Sequence, residues 1–138
     1  MTISHDELLD IAEKHARHTL IFDQEPELVP IWHLFNADGA SMVCSTPWTN
    51  TQEKEIIFRM LKKKAREMNA VSAVFISGVR IVDTDIKEIV FAFATDKTTT
   101  SVRSWDIVRR NGRIIDLIRL TPPGEGAFNG FLIDGLLP

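Results

Sequence analysis

The sequence contains a single cysteine, Cys44, which excludes an internal disulfide. It has no run of about 18 apolar residues, the length that a membrane-spanning helix needs. Residues 1–7 are acidic and lack the basic stretch and the apolar segment of a signal peptide. The sequence also lacks a complete catalytic motif, a full set of metal ligands and a phosphate-binding loop. We therefore expect a cytoplasmic protein with no membrane segment and no cofactor.

The length and composition are those of one soluble domain. The chain has 138 residues, of which 44% are hydrophobic and 25% are charged. Residues 1–50 carry a net charge of −6, residues 51–121 a net charge of +5, and residues 122–138 a net charge of −2. Either the two halves compensate each other on the folded surface, or the second half offers a basic face to an anionic partner.

A helix and a hairpin are predicted at the start of the chain. Ser4 and Glu7 form a capping box in front of a helix over residues 5–19. An Asn-Ala-Asp-Gly turn then separates two apolar stretches, 29–36 and 41–46. Because Asn, Asp and Gly tolerate a positive φ, we predict an antiparallel hairpin there.

A second amphipathic helix follows the hairpin. It runs from a cap at Thr49 or Asn50 to a left-handed stop at Asn69, and its apolar stripe passes through Met60 and Leu61. A basic face lies beside this stripe and consists of Arg59, Lys62, Lys63 and Arg66.

The second half of the chain has the pattern of consecutive strands separated by short turns, over residues 71–82, 88–95, 100–109 and 113–120. The dipeptide Asn111-Gly112 suits a type I′ hairpin turn. Short turns imply antiparallel pairing, so the order of elements is α-β-β-α-β-β-β-β. We predict an α+β fold in which two helices pack on one face of a mostly antiparallel sheet of about five to six strands.

Two histidines on the first helix are the candidates for metal binding. His15 and His18 lie three residues apart, so their side chains can reach the same point. A catalytic zinc takes three protein ligands, and this pair is therefore only part of a site. His15 also lies on the apolar stripe, where packing is the alternative role. We predict that no metal is bound.

An acidic cluster between two strands is the first catalytic candidate. Asp83, Asp85 and Lys87, followed by Glu88, have the composition that metal-dependent nucleases place on neighbouring strands. The same composition is ordinary for a hairpin turn.

A Cys–His pair is the second catalytic candidate. In the predicted hairpin, His33 and Cys44 are near cross-strand neighbours, an arrangement that can activate a thiol. A lone cysteine is more often a small buried hydrophobic residue, and no third orienting group is evident.

The basic face of the second helix is the candidate for nucleic-acid binding. It could contact phosphates together with the basic residues of the last hairpin, Arg109, Arg110 and Arg113. No pattern of base-stacking aromatic residues accompanies it, and a solvated helix face is the alternative.

The C-terminal residues 122–138 form an apolar tail that we expect to pack on the domain or on a partner. Its candidate interface residues are Phe128, Phe131, Leu132 and Ile133. The strand over 89–94 is continuously apolar as well. Two helices do not readily cover this much apolar surface, so we predict a homodimer.

Parts of the chain resemble a group of small uncharacterised proteins of bacteria and their phages. The resemblance rests on Pro-Ile-Trp-His-Leu-Phe-Asn-Ala-Asp-Gly at 30–39, Ser-Thr-Pro-Trp at 45–48, the charged helix after it, and Ala-Val-Phe-Ile-Ser at 73–77. It covers about residues 28–80. That group has no known activity, so the resemblance implies an accessory or phage-related role and assigns no functional residue.

The leading function predicted from the sequence is a non-catalytic interaction or assembly module that self-associates. A small hydrolase or metal-dependent nuclease is the first alternative, and a nucleic-acid binder is the second. A deep polar pocket would favour the enzyme, and a flat apolar surface would favour the module.

Overall fold

The fold is an antiparallel sheet of six strands with two α-helices, in a computed structural model that describes residues 3–46, 50–82, 86–120 and 135–138. In chain order the elements are helix α1 (His5–Arg17), a π-helical segment (His18–Phe22), β1 (Ile31–Asn36), β2 (Ser41–Ser45), helix α2 (Thr51–Glu67), β3 (Ala70–Val82), β4 (Ile86–Asp96), β5 (Thr100–Arg110) and β6 (Arg113–Arg119). The strands lie in the order β2-β1-β3-β4-β5-β6. The predicted α+β class and the predicted order of elements are confirmed.

Helix α1 begins at its predicted cap and continues into the π-helical segment. The Ser4 hydroxyl accepts the backbone N–H of Glu7 at 3.1 Å, which satisfies one of the free donors at the helix start. The buried side of α1 carries Leu8, Leu9, Ala12 and Ala16. The chain then turns at Gln24, which has a φ of +53°.

Helix α2 starts after Asn50, one of its two predicted caps, and Asn69 is the predicted stop beyond its end; the other predicted cap, Thr49, lies outside the described residues. The Asn50 side chain accepts the backbone N–H of Glu53 at 2.9 Å, and Asn69 has a φ of +54°. Leu61 and Ala65 are the residues of α2 that are fully buried. Met60, which the sequence placed on the apolar stripe beside Leu61, points outward instead.

The two helices lie on opposite faces of the sheet, whereas the sequence led us to expect both on one face. Val74 and Ile76 of β3 belong to the apolar cluster of α1, and Ala73 and Phe75 belong to the cluster of α2. β4 alternates in the same way. Successive side chains of a strand point to opposite faces, so a strand that is apolar at every position is buried on both sides.

The last hairpin closes through the predicted turn. Asn111 and Gly112 both have positive φ, +53° and +78°, as a type I′ turn requires. The register of β5 and β6 then shifts between Val108 and Arg109, which places a bulge in the pair. β6 is one edge of the sheet and the short strand β2 is the other.

The end of the chain returns to the domain on the α2 side. Leu136 is 4% exposed and belongs to the same apolar cluster as Trp32 and Phe93. The predicted interface residues Phe128, Phe131, Leu132 and Ile133 lie outside the described residues. In the part of the chain that the structure describes, no helix is both long enough and apolar enough to cross a membrane.

Candidate functional site

The outward side of α2 combines apolar and basic side chains. Helix α2 packs on the sheet through Leu61 and Ala65, which are fully buried, and the partly buried Ile57, Phe58 and Met68 pack against the same cluster. The residues at i and i+4 positions on the opposite side are therefore left to solvent. We call this outward patch the α2 surface, and it consists of Ile56, Arg59, Met60, Lys63 and Arg66.

Two apolar side chains form the middle of the α2 surface. Ile56 is 56% exposed and Met60 is 41% exposed. They lie four residues apart, so they are neighbours along one line of the helix, and Lys63 continues that line one turn later. Single exposed apolar residues are common on protein surfaces. Ile56 and Met60 are adjacent and lie between cations, so they form a small apolar patch.

The cations of the α2 surface have no carboxylate partner among the residues that the structure describes. Within the described part of α2, the one ion pair joins Lys64 to Glu67 at 3.8 Å, and neither residue belongs to the α2 surface. Arg59, Lys63 and Arg66 are exposed and enter no such pair. Lys62, which the sequence grouped with them, is half-buried and contributes less to the outward charge.

On the other face of the sheet, several charged residues of α1 pair with residues of the same domain. Arg103 of β5 is only 10% exposed and bonds to Asp10 at 2.8 Å and to Glu13 at 3.3 Å. Glu13 also accepts bonds from Arg17 and Arg119. Burial raises the pKa of Glu13, but the bonds from Arg17 and Arg119 outweigh it and hold the pKa below its usual value. This part of the charge asymmetry is compensated within the fold.

The predicted Cys–His pair is not formed. Cys44 pairs with Trp32 across the hairpin and packs in the cluster of α2, while His33 pairs with Val43. Because paired residues point to the same side of a sheet and adjacent residues point to opposite sides, His33 and Cys44 lie on different faces. Burial also raises the pKa of the Cys44 thiol, and the charge of Lys64 offsets part of that effect. Cys44 is therefore a packing residue and not an activated nucleophile.

His33 meets His15 instead, between β1 and α1. Burial lowers the pKa of both rings, and the charge of His15 lowers that of His33 further. Neither Nε2 atom has a hydrogen-bond partner in the described part of the chain. His18 turns to solvent, where its Nε2 lies 3.4 Å from Asp23. Within residues 3–46, 50–82, 86–120 and 135–138, no three His, Cys, Asp or Glu side chains are grouped to hold a metal ion.

The acidic cluster is only partly described. Asp83 and Asp85 lie outside the described residues, and Lys87 is described as a backbone partner of Ile81 in the β3–β4 ladder. Glu88 accepts two bonds from Arg109, at 2.9 and 3.1 Å.

That ion pair lies beside a cleft of about 730 Å³. Its lining is mainly apolar and includes Leu20, Leu28, Val29, Val79, Ile89 and Ile107. Among the described lining residues, the one hydroxyl is that of Ser77, and it donates to the carbonyl of Gly78. Glu88 and Arg109 neutralise each other there, so the lining residues that the structure describes offer no activated nucleophile.

A hydrogen-bonded chain that the sequence did not indicate joins α1 to the β4–β5 hairpin. His5 Nδ1 lies 2.7 Å from the Ser101 hydroxyl, and His5 Nε2 lies 3.0 Å from Asp96 Oδ2. Backbone N–H groups of Thr98 and Thr99 bond to Asp96 and keep its pKa well below the usual range. In serine hydrolases the histidine bonds to the serine through Nε2 and to the carboxylate through Nδ1. His5 uses Nδ1 for Ser101 and Nε2 for Asp96, which is the reverse arrangement.

Ser101 and His5 also do not line the cleft described above. The chain of bonds therefore serves as a structural tie between α1 and the hairpin. Its residues are about 90 positions apart in sequence, and no local pattern signals such a pairing.

The basic residues predicted to bind nucleic acid do not form one surface. Helix α2 packs over the β1 and β3 side of the sheet, in the cluster that includes Trp32 and Phe75. The basic hairpin joins β5 to β6 at the opposite edge, and its Arg109 is paired with Glu88. A continuous track along a phosphate backbone needs adjacent cations.

Comparison with protein-family models, with curated proteins and with solved structures gives no match for this chain. The resemblance of residues 28–80 to bacterial and phage proteins therefore stays a prediction. The α2 surface is therefore a candidate binding site because of its exposed apolar and basic side chains.

Proposed function

We propose that this chain is a non-catalytic, cytoplasmic interaction module that associates with itself, and that the α2 surface is its contact region. The observation that carries the proposal is the outward position of Ile56 and Met60 on a helix flanked by cations that have no partner among the described residues. Large hydrophobic residues are exposed elsewhere as well, such as Val43 at 59%. On the α2 surface two of them are adjacent and lie between cations, which gives a second molecule both an apolar and a charged contact.

The chemistry of the α2 surface suits a protein partner. Burying an aliphatic side chain of this size stabilises a complex by roughly 1.5–3 kcal/mol when it goes from fully exposed to fully buried. Ile56 and Met60 are partly exposed, so each supplies a fraction of that amount. The surrounding cations add specificity and a faster encounter with an acidic surface. A partner surface with apolar side chains would contact Ile56 and Met60, and its acidic side chains would pair with the surrounding cations.

The arrangement of the remaining candidates supports a binding role over a catalytic one. His33 and Cys44 are separated by the sheet, and the described lining of the large cleft is mostly apolar. The edge strand β6 is also partly occupied, because Arg17 donates to the carbonyl of Leu117 at 2.8 Å. Pairing through that edge is thereby hindered, which favours association through a helix surface.

Sedimentation velocity over a range from low to high micromolar concentration tests the proposal. We expect the sedimentation coefficient to rise toward that of a dimer of the 15.6 kDa chain. The double variant Ile56→Gln, Met60→Gln should stay monomeric at the same concentrations, because it removes the apolar middle and keeps good helix formers. The matched control is Val43→Thr on β2, where an apolar side chain is 59% exposed on another surface.

The control variant should associate as the unchanged protein does. A protein that remains monomeric across the whole range contradicts self-association. Dimers that persist in the Gln double variant contradict the role of the α2 surface.

A further inference from the structure

The segment after the π-helix has the chemistry opposite to that of the α2 surface. Phe22 is 78% exposed, the largest exposed fraction among the large hydrophobic residues that the structure describes. Three exposed acids follow it, Asp23, Glu25 and Glu27. We call residues 22–27 the acidic connector. An aromatic side chain beside carboxylates is what a patch of aliphatic and basic side chains accepts.

The acidic connector is held in place by the domain. The Gln24 amide donates to the carbonyls of Ile21 and Ile114, at 2.7 and 2.8 Å, and its oxygen accepts the N–H of Ile114 at 3.0 Å. On the C-terminal side, Leu28 is buried and its carbonyl accepts the N–H of Gly78 at 3.2 Å. A segment fixed in this way loses little conformational entropy when it binds.

The acidic connector and the α2 surface of one chain lie on opposite faces of the sheet. Leu20 and Leu28, on either side of the connector, pack in the cluster of α1. Helix α2 packs in the other cluster, through Leu61 and Ala65. The sheet separates the two regions, so they can meet only between two molecules.

We infer that, in the self-association proposed above, the acidic connector of one copy docks on the α2 surface of the next copy. Phe22 then contacts Ile56 and Met60, and the connector carboxylates face Arg59, Lys63 and Arg66. The inference rests on the proposed function and names the partner of that same surface. Because the two regions of one copy lie on opposite faces of the sheet, one such contact joins two copies head to tail as a dimer, and the free connector and the free α2 surface at its ends can add further copies.

Charge reversal on each side of the contact tests this pairing. The connector variant is Glu25→Lys, Glu27→Lys, which leaves Gln24 and its bonds to β6 intact. The α2 variant is Arg59→Glu, Lys63→Glu. Each variant alone should weaken association by at least about tenfold in sedimentation equilibrium, because like charges then face each other.

Mixing the two variants provides the decisive measurement. In the mixture, the reversed connector meets the reversed α2 surface of the other variant, and the unchanged connector meets the unchanged α2 surface. Each of these contacts is complementary again, so an equimolar mixture should recover the association while each variant alone does not. The control is Asp38→Lys, the same type of substitution at one exposed acid in the β1–β2 turn with half the charge change of the connector variant, and it should associate normally.

The outcomes separate the inference from the proposed function. If the Gln double variant of Ile56 and Met60 abolishes association but the connector variant associates normally, the inference is overturned and the proposed function stands. If both reversed variants fail to associate and their mixture fails as well, the two regions are not partners, and the inference is again overturned. A monomeric unchanged protein overturns both.

Discussion

The two faces of the sheet are covered in different ways. On one face, α1 buries four apolar side chains and is tied to β5 and β6 by Arg103 and Arg17, and Gln24 of the connector that follows bonds to β6. On the other face, α2 fully buries only Leu61 and Ala65. Helix α1 therefore has the role of a structural element. Helix α2 keeps an outward surface that the fold does not need, and such a surface is available for binding.

The largest expected effect contrasts a buried residue of α1 with an outward residue of α2. Leu8 is fully buried, so Leu8→Ala should lower the free energy of unfolding by about 2–5 kcal/mol. Ile56→Ala, its matched control on α2, should change it by less than about 0.5 kcal/mol. Urea denaturation of both variants measures the difference. Equal losses would show that the outward side of α2 is packed against the domain.

The bond between the connector and β6 is the next interaction to remove. Gln24→Ala leaves the N–H and carbonyl of Ile114 without their side-chain partner, which should lower the free energy of unfolding by about 1–3 kcal/mol. The exposed neighbour Glu25→Ala serves as the control and should have little effect. A Gln24→Ala variant as stable as the original protein would mean that the connector is not fixed by this bond.

A pH dependence is expected from the α1 face. Burial lowers the pKa of His15 and His33 in the folded state, so the unfolded chain binds protons more readily there. Stability should fall as the pH drops through about 6.5, the ordinary pKa of histidine. Denaturation midpoints at pH 7.5 and 5.5 measure this change, and His33→Phe should reduce it.

The comparison variant is His18→Gln, which removes an exposed histidine whose charge contributes the smaller part of the lowered pKa of His15, so it should reduce the change less than His33→Phe does. The titratable neighbour of the His15–His33 pair on the same helical run is His18. The strands beside β1 carry no titratable side chain at residues 41–43 of β2 or 70–79 of β3. A midpoint that is the same at both pH values in the unchanged protein would contradict the prediction.

The smallest expected effect concerns the α2 face. Because burial raises the pKa of the half-buried Cys44, less of the thiol is ionised at pH 8 than in an unfolded chain. Ellman's reagent should therefore react with the native protein more slowly than with the protein in denaturant. A native rate equal to the denatured rate would show that Cys44 is open to solvent.

Local patterns predicted most of the elements, because their signals lie within a few residues. The caps at Ser4 and Asn50, the stop at Asn69 and the turn at Asn111-Gly112 all act where the sequence places them. Helix periodicity also placed the basic residues of α2 on one side. It did not separate Met60 from Leu61, since adjacent residues at the border of a stripe both fit a helical pattern.

The faces of the sheet were harder to predict. The continuous apolar run at 89–94 indicates burial on both sides, and from it the position of α2 opposite α1 could have been inferred. His33 pairs with Val43 and not with Cys44. A change of one residue in the register of a strand pair moves every side chain to the other face, and the sequence does not fix the register that closely. Contacts such as His5 with Asp96 join distant segments and have no local signature.

The side chain of Gln24 has a consequence for how the protein is made. Its amide bonds to the N–H and the carbonyl of Ile114, as a peptide group of a neighbouring strand would. A ribosome releases the N-terminal part of a chain first, so Gln24 is already outside when β6 emerges. At Ile114, the Gln24 side chain thus takes the place of a neighbouring strand, and it is synthesised before the β6 edge that it covers there. Unfinished or crowded chains then have less opportunity to pair with each other along β6.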